Sequence, residues 1–237
     1  MADPIWAALV LTALAGLSIP AGAALALCRF GFLSDFAASE ARHGVVAFGA
    51  GALLAAVALV LIPEGTERLA AAAALFWFVV GALAFAWIDR ALAARGGRAA
   101  QFLAMMMDYL PEAMALGALV AGDFPAALLV ALLIALQNLP EGFNAMEELR
   151  QTSRRGPVIL LGLFVLMVPL GPAAAYAGLM IDPNSGVTGA VMMLASGGIL
   201  YLMFQDIAPQ IPLENAWAPP LGAVLGFLLG LAGDLLI

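Results

Sequence analysis

The chain has 237 residues, 65% of them hydrophobic and only 11% charged, with a mean hydropathy of +1.06. So much apolar surface cannot be hidden inside one soluble core, which marks an integral membrane protein with a single polytopic domain over 1–237. Eight Asp and eight Glu against nine Arg and no Lys give a formal net charge of −7, which argues against a nucleic-acid partner; the single Cys excludes a disulfide framework.

A transmembrane helix needs about 20 apolar residues. Apolar runs bounded by charge, Gly or Pro fall at about 5–27, 44–63, 70–89, 101–121, 125–146, 157–180, 187–208 and 218–237. An all-α domain of eight spans is therefore predicted. A β-barrel would show short alternating segments of about ten residues, whereas stretches such as 126–136 are apolar on every side. The N-terminal Met1, Ala2, Asp3 and Pro4 lack the basic stretch of a secretory signal, so the first run is expected to remain as a span.

Arginine placement orients the spans, because cytoplasmic loops hold positive charge back from translocation. Arg29 and Arg42 fall between the first and second spans, Arg90, Arg95 and Arg98 between the third and fourth, and Arg150, Arg154 and Arg155 between the fifth and sixth. Only Arg68 sits in a loop of the other set. Both termini are therefore expected outside, and the Arg-for-Lys, Ala-rich composition points to a bacterial inner membrane.

The fourth and fifth spans carry the chemistry. Asp108-Tyr109-Leu110-Pro111-Glu112-Ala113 is echoed 29 residues later by Gln137-Asn138-Leu139-Pro140-Glu141-Gly142. Consecutive spans run in opposite directions, so the echo predicts two facing half-sites. An unpaired carboxylate at this depth costs about 3 kcal/mol on insertion scales, and Asp108, Glu112 and Glu141 need an offset on the order of three times that. Residues four apart share a helix face, which pairs Asp108 with Glu112 and Gln137 with Glu141 as two oxygen clamps. Pro111 and Pro140 each remove a helical hydrogen bond and free the carbonyls of Met107 and Leu136. Loosened backbone is tolerated in a membrane where it lines a cavity, so a wet, negative pocket is predicted.

Three carboxylates, an amide and a carbonyl or water form a coordination sphere for a divalent cation, with one protonated acid completing neutralisation. The competing reading has the acids protonated and hydrogen-bonded between helices as glue; glue does not require the same Pro-Glu unit twice. More weakly, Leu61-Ile62-Pro63-Glu64 ends the second span as Ile207-Ala208-Pro209-Gln210 ends the seventh, and the first and sixth share small residues around proline. Such pairs point to inverted repeats of the kind transporters use.

The paired units, eight spans and outside termini resemble the ZIP (Zrt/Irt-like) divalent metal transporters, whose fourth span typically carries His-Asn-x-Pro-Glu-Gly and whose fifth carries Gln or His, a polar residue, then x-Pro-Glu-Gly. Gln137, Asn138, Pro140, Glu141 and Gly142 match throughout, whereas in the fourth span only Pro111 and Glu112 do. The resemblance implies a three-two-three arrangement, with spans 1–3 and 6–8 as an inverted repeat around central spans four and five. It implies a metal site of Asp108, Glu112, Gln137 and Glu141, with Asn138 and the shared glutamates left of a second site. Asp108 and Tyr109 stand where the family has His and Asn, and Val168 precedes Pro169-Leu170-Gly171 where a Glu is often found. One metal is therefore expected rather than two. Losing imidazole shifts the expected preference from zinc towards harder ions such as manganese, although carboxylates also bind zinc.

Other polar residues carry simpler expectations. Gln205 and Asp206 either line an exit or reach the interface; Asp89 and Arg90 mark an inner interface, as do Glu147 and Glu148. Glu64, Glu67, Asp123 and Asp234 read as outer loop charges able to concentrate cations. His43 has no histidine partner for a zinc site, and Cys28 reads as a small apolar residue. Met105, Met106 and Met107 point in three directions and are expected to pack. Gly222, Gly226 and Gly230 form a ridge for a close helix neighbour, in this chain or in a homodimer partner.

The function expected is inward transport of a divalent metal such as zinc, manganese or iron, the metal being substrate and not cofactor. The alternative is a metal-sensing or structural membrane protein whose transport has lapsed. No enzyme is expected: His-Glu-x-x-His is absent, and a nucleotide loop needs the lysine this chain lacks.

Overall fold

Long apolar helices account for nearly all of the computed structural model, which describes residues 3–28, 35–94, 100–211 and 216–236. Helix α1 spans Pro4–Leu27. Helix α2 runs over Asp35–Ala55 and continues through a π-helical segment, Ala56–Leu61, into Ile62–Glu67. Then follow α3 (Ala71–Ala93), α4 (Ala100–Val120), α5 (Phe124–Thr152) and α6, in two pieces, Pro157–Met167 and Leu170–Leu179. Helix α7 covers Gly186–Leu202 and tightens from a π segment, Met203–Ile207, to a 3-10 turn, Ala208–Gln210; α8 is Ala218–Leu236. Seven helices among the described residues are long and apolar enough to cross a membrane, and α4 is a further long helix. The protein is an all-helical membrane bundle, with no strand among the described residues.

Local chemistry sets the ends. Asp3, Asp123 and Ser185 cap α1, α5 and α7 by accepting from the backbone N–H of Ile5, Ala126 and Thr188, and Pro4 and Pro125 occupy first-turn positions where no N–H is needed. Asp123, expected as a loop charge, is thus a cap. Two helices outrun their apolar stretches: α2 begins at Asp35, before the run from about 44, and α5 continues to Thr152, past 146. Both extensions are polar, carrying Glu40, Arg42 and His43 in one and Glu147, Glu148 and Arg150 in the other. Pro169 interrupts α6, whereas α1, α4 and α5 continue through Pro20, Pro111 and Pro140. The π segments lie just before Pro63 and Pro209, whose missing N–H the wider turn absorbs.

Packing rests on four glycine crossings. Gly22 of α1 meets the Leu139 carbonyl of α5 while Gly142 meets that of Ile19; Gly178 of α6 meets Met114 of α4 while Gly117 meets Ala175. In the same way Gly51 and Gly226 join α2 to α8 through Ala223 and Phe48, and Gly81 and Gly197 join α3 to α7 through Leu194 and Phe78. Each glycine sits where a Cβ would collide with a carbonyl three residues before the partner glycine. Backbone contact of this kind is how helices associate in lipid, where burial of apolar side chains gives no net drive. The ridge on α8 is therefore used within the chain, against α2. Helices α2, α4, α5 and α7 are the most buried, whereas α3 and α8 expose Leu75, Phe76, Val79, Leu83 and Trp87, and Leu221, Val224, Leu225 and Leu228.

The ends of the bundle differ in charge. Arg42 of α2 bonds Asn144 of α5, and Arg150 of α5 bonds the Ala26 carbonyl at the end of α1, so these arginines share one end. Arg29, Arg95 and Arg98 lie outside the described residues. Arg68 lies at the opposite end, where its guanidinium donates to the Pro183 and Glu64 carbonyls and pairs with the Glu64 carboxylate at 2.7 Å.

Gly226→Ala should lower stability by about 1–3 kcal/mol, the usual cost of overpacking. Gly162→Ala, where nothing lies within 4 Å of the added methyl, should not lower it. Thermal unfolding of the two variants in the same detergent checks the difference.

Candidate metal centre

Helices α4 and α5 cross in the interior and bring the two echoed units together. Asp108, Glu112, Gln137 and Glu141 are 2%, 1%, 0% and 8% exposed, so all four turn inward as the four-residue spacing predicts. Gln137 Nε2 donates to both carboxylate oxygens of Glu112, each at 2.7 Å, the direct bond between the half-sites. Asp108 interacts electrostatically with Glu141 and Glu112, and Glu141 with Glu112 and with Asp206 of α7. The three acids therefore form one electrostatic unit. Asp108 Oδ1 also accepts from the Tyr109 backbone N–H at 2.8 Å.

What this group lacks is as informative as what it contains. None of the three acids is ion-paired among the described residues; the pairs Arg68–Glu64 and Arg150–Glu147 lie at helix ends. Gln137 Oε1, Asn138 Nδ2 and Oδ1, and Glu141 Oε2 are buried with no hydrogen-bond partner. The buried hydroxyls of Thr12 and Ser196, by contrast, donate to carbonyls of their own helices, Ala8 and Met192. A buried polar atom left unsatisfied costs about 1–3 kcal/mol. Three such oxygens and one amide nitrogen within five residues of one helix, beside Asp108 and Glu112, can serve a ligand that takes oxygen donors. Among the described residues no three His, Cys, Asp or Glu side chains converge closely enough to hold a metal by themselves.

A cavity of about 10 Å³, the room of one water or one bare ion, borders this group and is lined by Val46, Gly49, Ala50, Gln137, Pro140, Glu141, Asn144 and Ile207. Of the pocket expected at both prolines, this cavity takes in the Pro140 side alone: Gln137 and Glu141 line it, whereas Pro111, Asp108 and Glu112 do not. Tyr109 fills its surroundings differently: fully buried, it donates from its hydroxyl to the Thr12 carbonyl at 3.2 Å, and Cβ atoms at Gly16 or Gly171 would collide with it. The ring thus occupies a slot made by two glycines between α1 and α6. Val168, with no oxygen on its side chain, caps the first piece of α6.

Other expected positions resolve into structural roles. Glu64 is paired to Arg68, and Asp89 accepts from the Tyr201 hydroxyl at 2.9 Å, tying α3 to α7. Met105 and Met106 are buried packing residues. Asp206, on the π segment of α7, reaches Glu141 electrostatically while Gln205 is exposed. Asn144 was not anticipated, although residues 137, 141 and 144 share a helix face; it is buried and bonded by Arg42. Comparison with known proteins gives no match, either to a protein-family model or to a curated sequence.

Gln137→Met keeps the volume but strips Glu112 of its donor. It should destabilise the protein by about 1–3 kcal/mol, read as a drop in chemical-denaturation midpoint.

Proposed function

We propose that the protein is a ZIP-like transporter that carries a divalent metal ion, of the zinc, manganese or iron class, across the membrane by alternating access. The observation that carries this reading is the set of buried, unpartnered amide and carboxylate atoms on α5 facing the acids of α4. Asp108, Glu112 and Glu141 supply charge, Gln137 a neutral oxygen, and Asn138 a further donor beside them. Rotation of Gln137 away from Glu112 would release both to the ion. With Tyr109 filling the slot between the glycines and Val168 lacking a carboxylate, a single ion is bound at a time.

The packing supports the eight-span, three-two-three reading. Exchanging α1 with α6, α2 with α7, α3 with α8 and α4 with α5 maps each glycine crossing onto another, and maps one π segment onto the other. That is the pattern of an inverted repeat, with the site at its interface. The end carrying Arg42 and Arg150 would face the cytoplasm of a bacterial inner membrane and both termini the outside. The second reading, metal binding without transport, is favoured by the direct Gln137–Glu112 bond, which closes the half-sites on each other.

Purified protein in sealed proteoliposomes should take up manganese or zinc, and Glu112→Gln and Glu141→Gln should each reduce uptake and affinity at least about tenfold, or about 1.4 kcal/mol. Metal binding without uptake would favour the sensor. Asp108→His should move the zinc-to-manganese affinity ratio towards zinc by about tenfold, since imidazole suits the softer ion; an unchanged ratio would remove Asp108 from the sphere.

A further inference from the structure

One lining residue of the cavity beside Glu141 is bonded to a charge that the ligand set does not use. Its lining includes Asn144, three residues beyond Glu141 on α5, and Val46 and Gly49 on α2. Arg42, one helical turn before Val46, sends its Nε–H to Asn144 Oδ1 at 3.2 Å. The bond closes the α2–α5 seam at the end of the bundle where Arg150 also lies. Elsewhere along this seam the contact is apolar, Gly49 against the Pro140 ring. A guanidinium retains its charge at any working pH and holds a planar fork of donors. Fastened to a residue that lines the cavity, it sets a fixed positive charge against any cation leaving on that side.

We propose that Arg42 is a positioning residue that gates the site: tied to Asn144, it bars the cavity mouth between α2 and α5 to cations until those helices separate. The inference rests on the reading of the cavity as a cation site and adds a side and a residue to it. Asp206 lies at this same end of the bundle, on the α7 side of the cavity beside Glu141 and Ile207, so the guanidinium would oppose a divalent ion on the α2–α5 side only. Passage on the Arg42 side then requires the Arg42–Asn144 bond to break.

The test uses the full-length protein in lipid nanodiscs, carrying Cys28→Ser to remove the native thiol and Val46→Cys to place a probe in the lining. Labelling rates are measured with a cationic and an anionic membrane-impermeant thiosulfonate, with Arg42 present and in Arg42→Gln and Arg42→Lys. Glutamine keeps a stem and a donor for Asn144, which guards against loss of fold, but carries no charge. Arg42→Gln should raise the cation-to-anion rate ratio about fivefold, and Arg42→Lys should leave it within about twofold. An unchanged ratio, an equal acceleration of both reagents, or no labelling even in Arg42→Gln would each overturn the gate. Manganese uptake is measured in parallel with the native thiol intact. Absent uptake defeats the transport reading, whereas the ratio still answers for Arg42.

Discussion

Burying Asp108, Glu112 and Glu141 together, with no cationic side chain among the described residues paired to them, is the costliest feature of this protein, and the surrounding architecture is arranged about it. Like charges in a low-dielectric interior repel, and each demands donors or counter-charge that lipid cannot provide. The chain supplies part of that from within: the Gln137 amide nitrogen donates to both oxygens of Glu112, and the Tyr109 N–H goes to Asp108. The remainder, at Glu141 Oε2, Gln137 Oε1 and both polar atoms of Asn138, has no hydrogen-bond partner among the described residues.

Holding such a group in place calls for backbones that do not drift. Glycine crossings join α1 to α5 and α4 to α6, so both acid-bearing helices are locked to a neighbour by carbonyl contact. A second pair of crossings joins α2 to α8 and α3 to α7. Between α2 and α5 the contacts run through side chains instead, the Pro140 ring on Gly49 and the Arg42–Asn144 bond. Side-chain contacts can be made and broken at lower cost than interlocked backbones, which is why the cavity and the Arg42 bond fall on that seam. Tyr109 adds rigidity within the first set by wedging between Gly16 and Gly171.

Hydropathy locates the helices well because lipid demands about 20 apolar residues from each, but it stops where charge begins. It therefore misses the polar first turns of α2 and the last turns of α5, which Arg42 and Arg150 tie to neighbouring helices. The four-residue spacing of Asp108 with Glu112 and of Gln137 with Glu141 correctly predicts that they share an inward face. A three-residue step reaches Asn144 from Glu141, and the four-residue step reaches Arg68 from Glu64, where it pairs two charges that composition alone treats as loop residues. The π segments have no counterpart in periodicity, since a single wide turn leaves the apolar pattern intact; only the prolines after them hint at the strain.

Residue order alone settles an apolar, all-helical chain with three acids and two amides at helical spacing around Pro111 and Pro140, because these are local properties of composition and period. It leaves open which helix covers which ridge, and that choice belongs to the packed bundle: the α8 glycines meet α2, Tyr109 enters a slot between α1 and α6, and Gln137 finds Glu112. Those pairings join residues far apart in the chain. No local periodicity encodes them, because they depend on how closely whole backbones can approach.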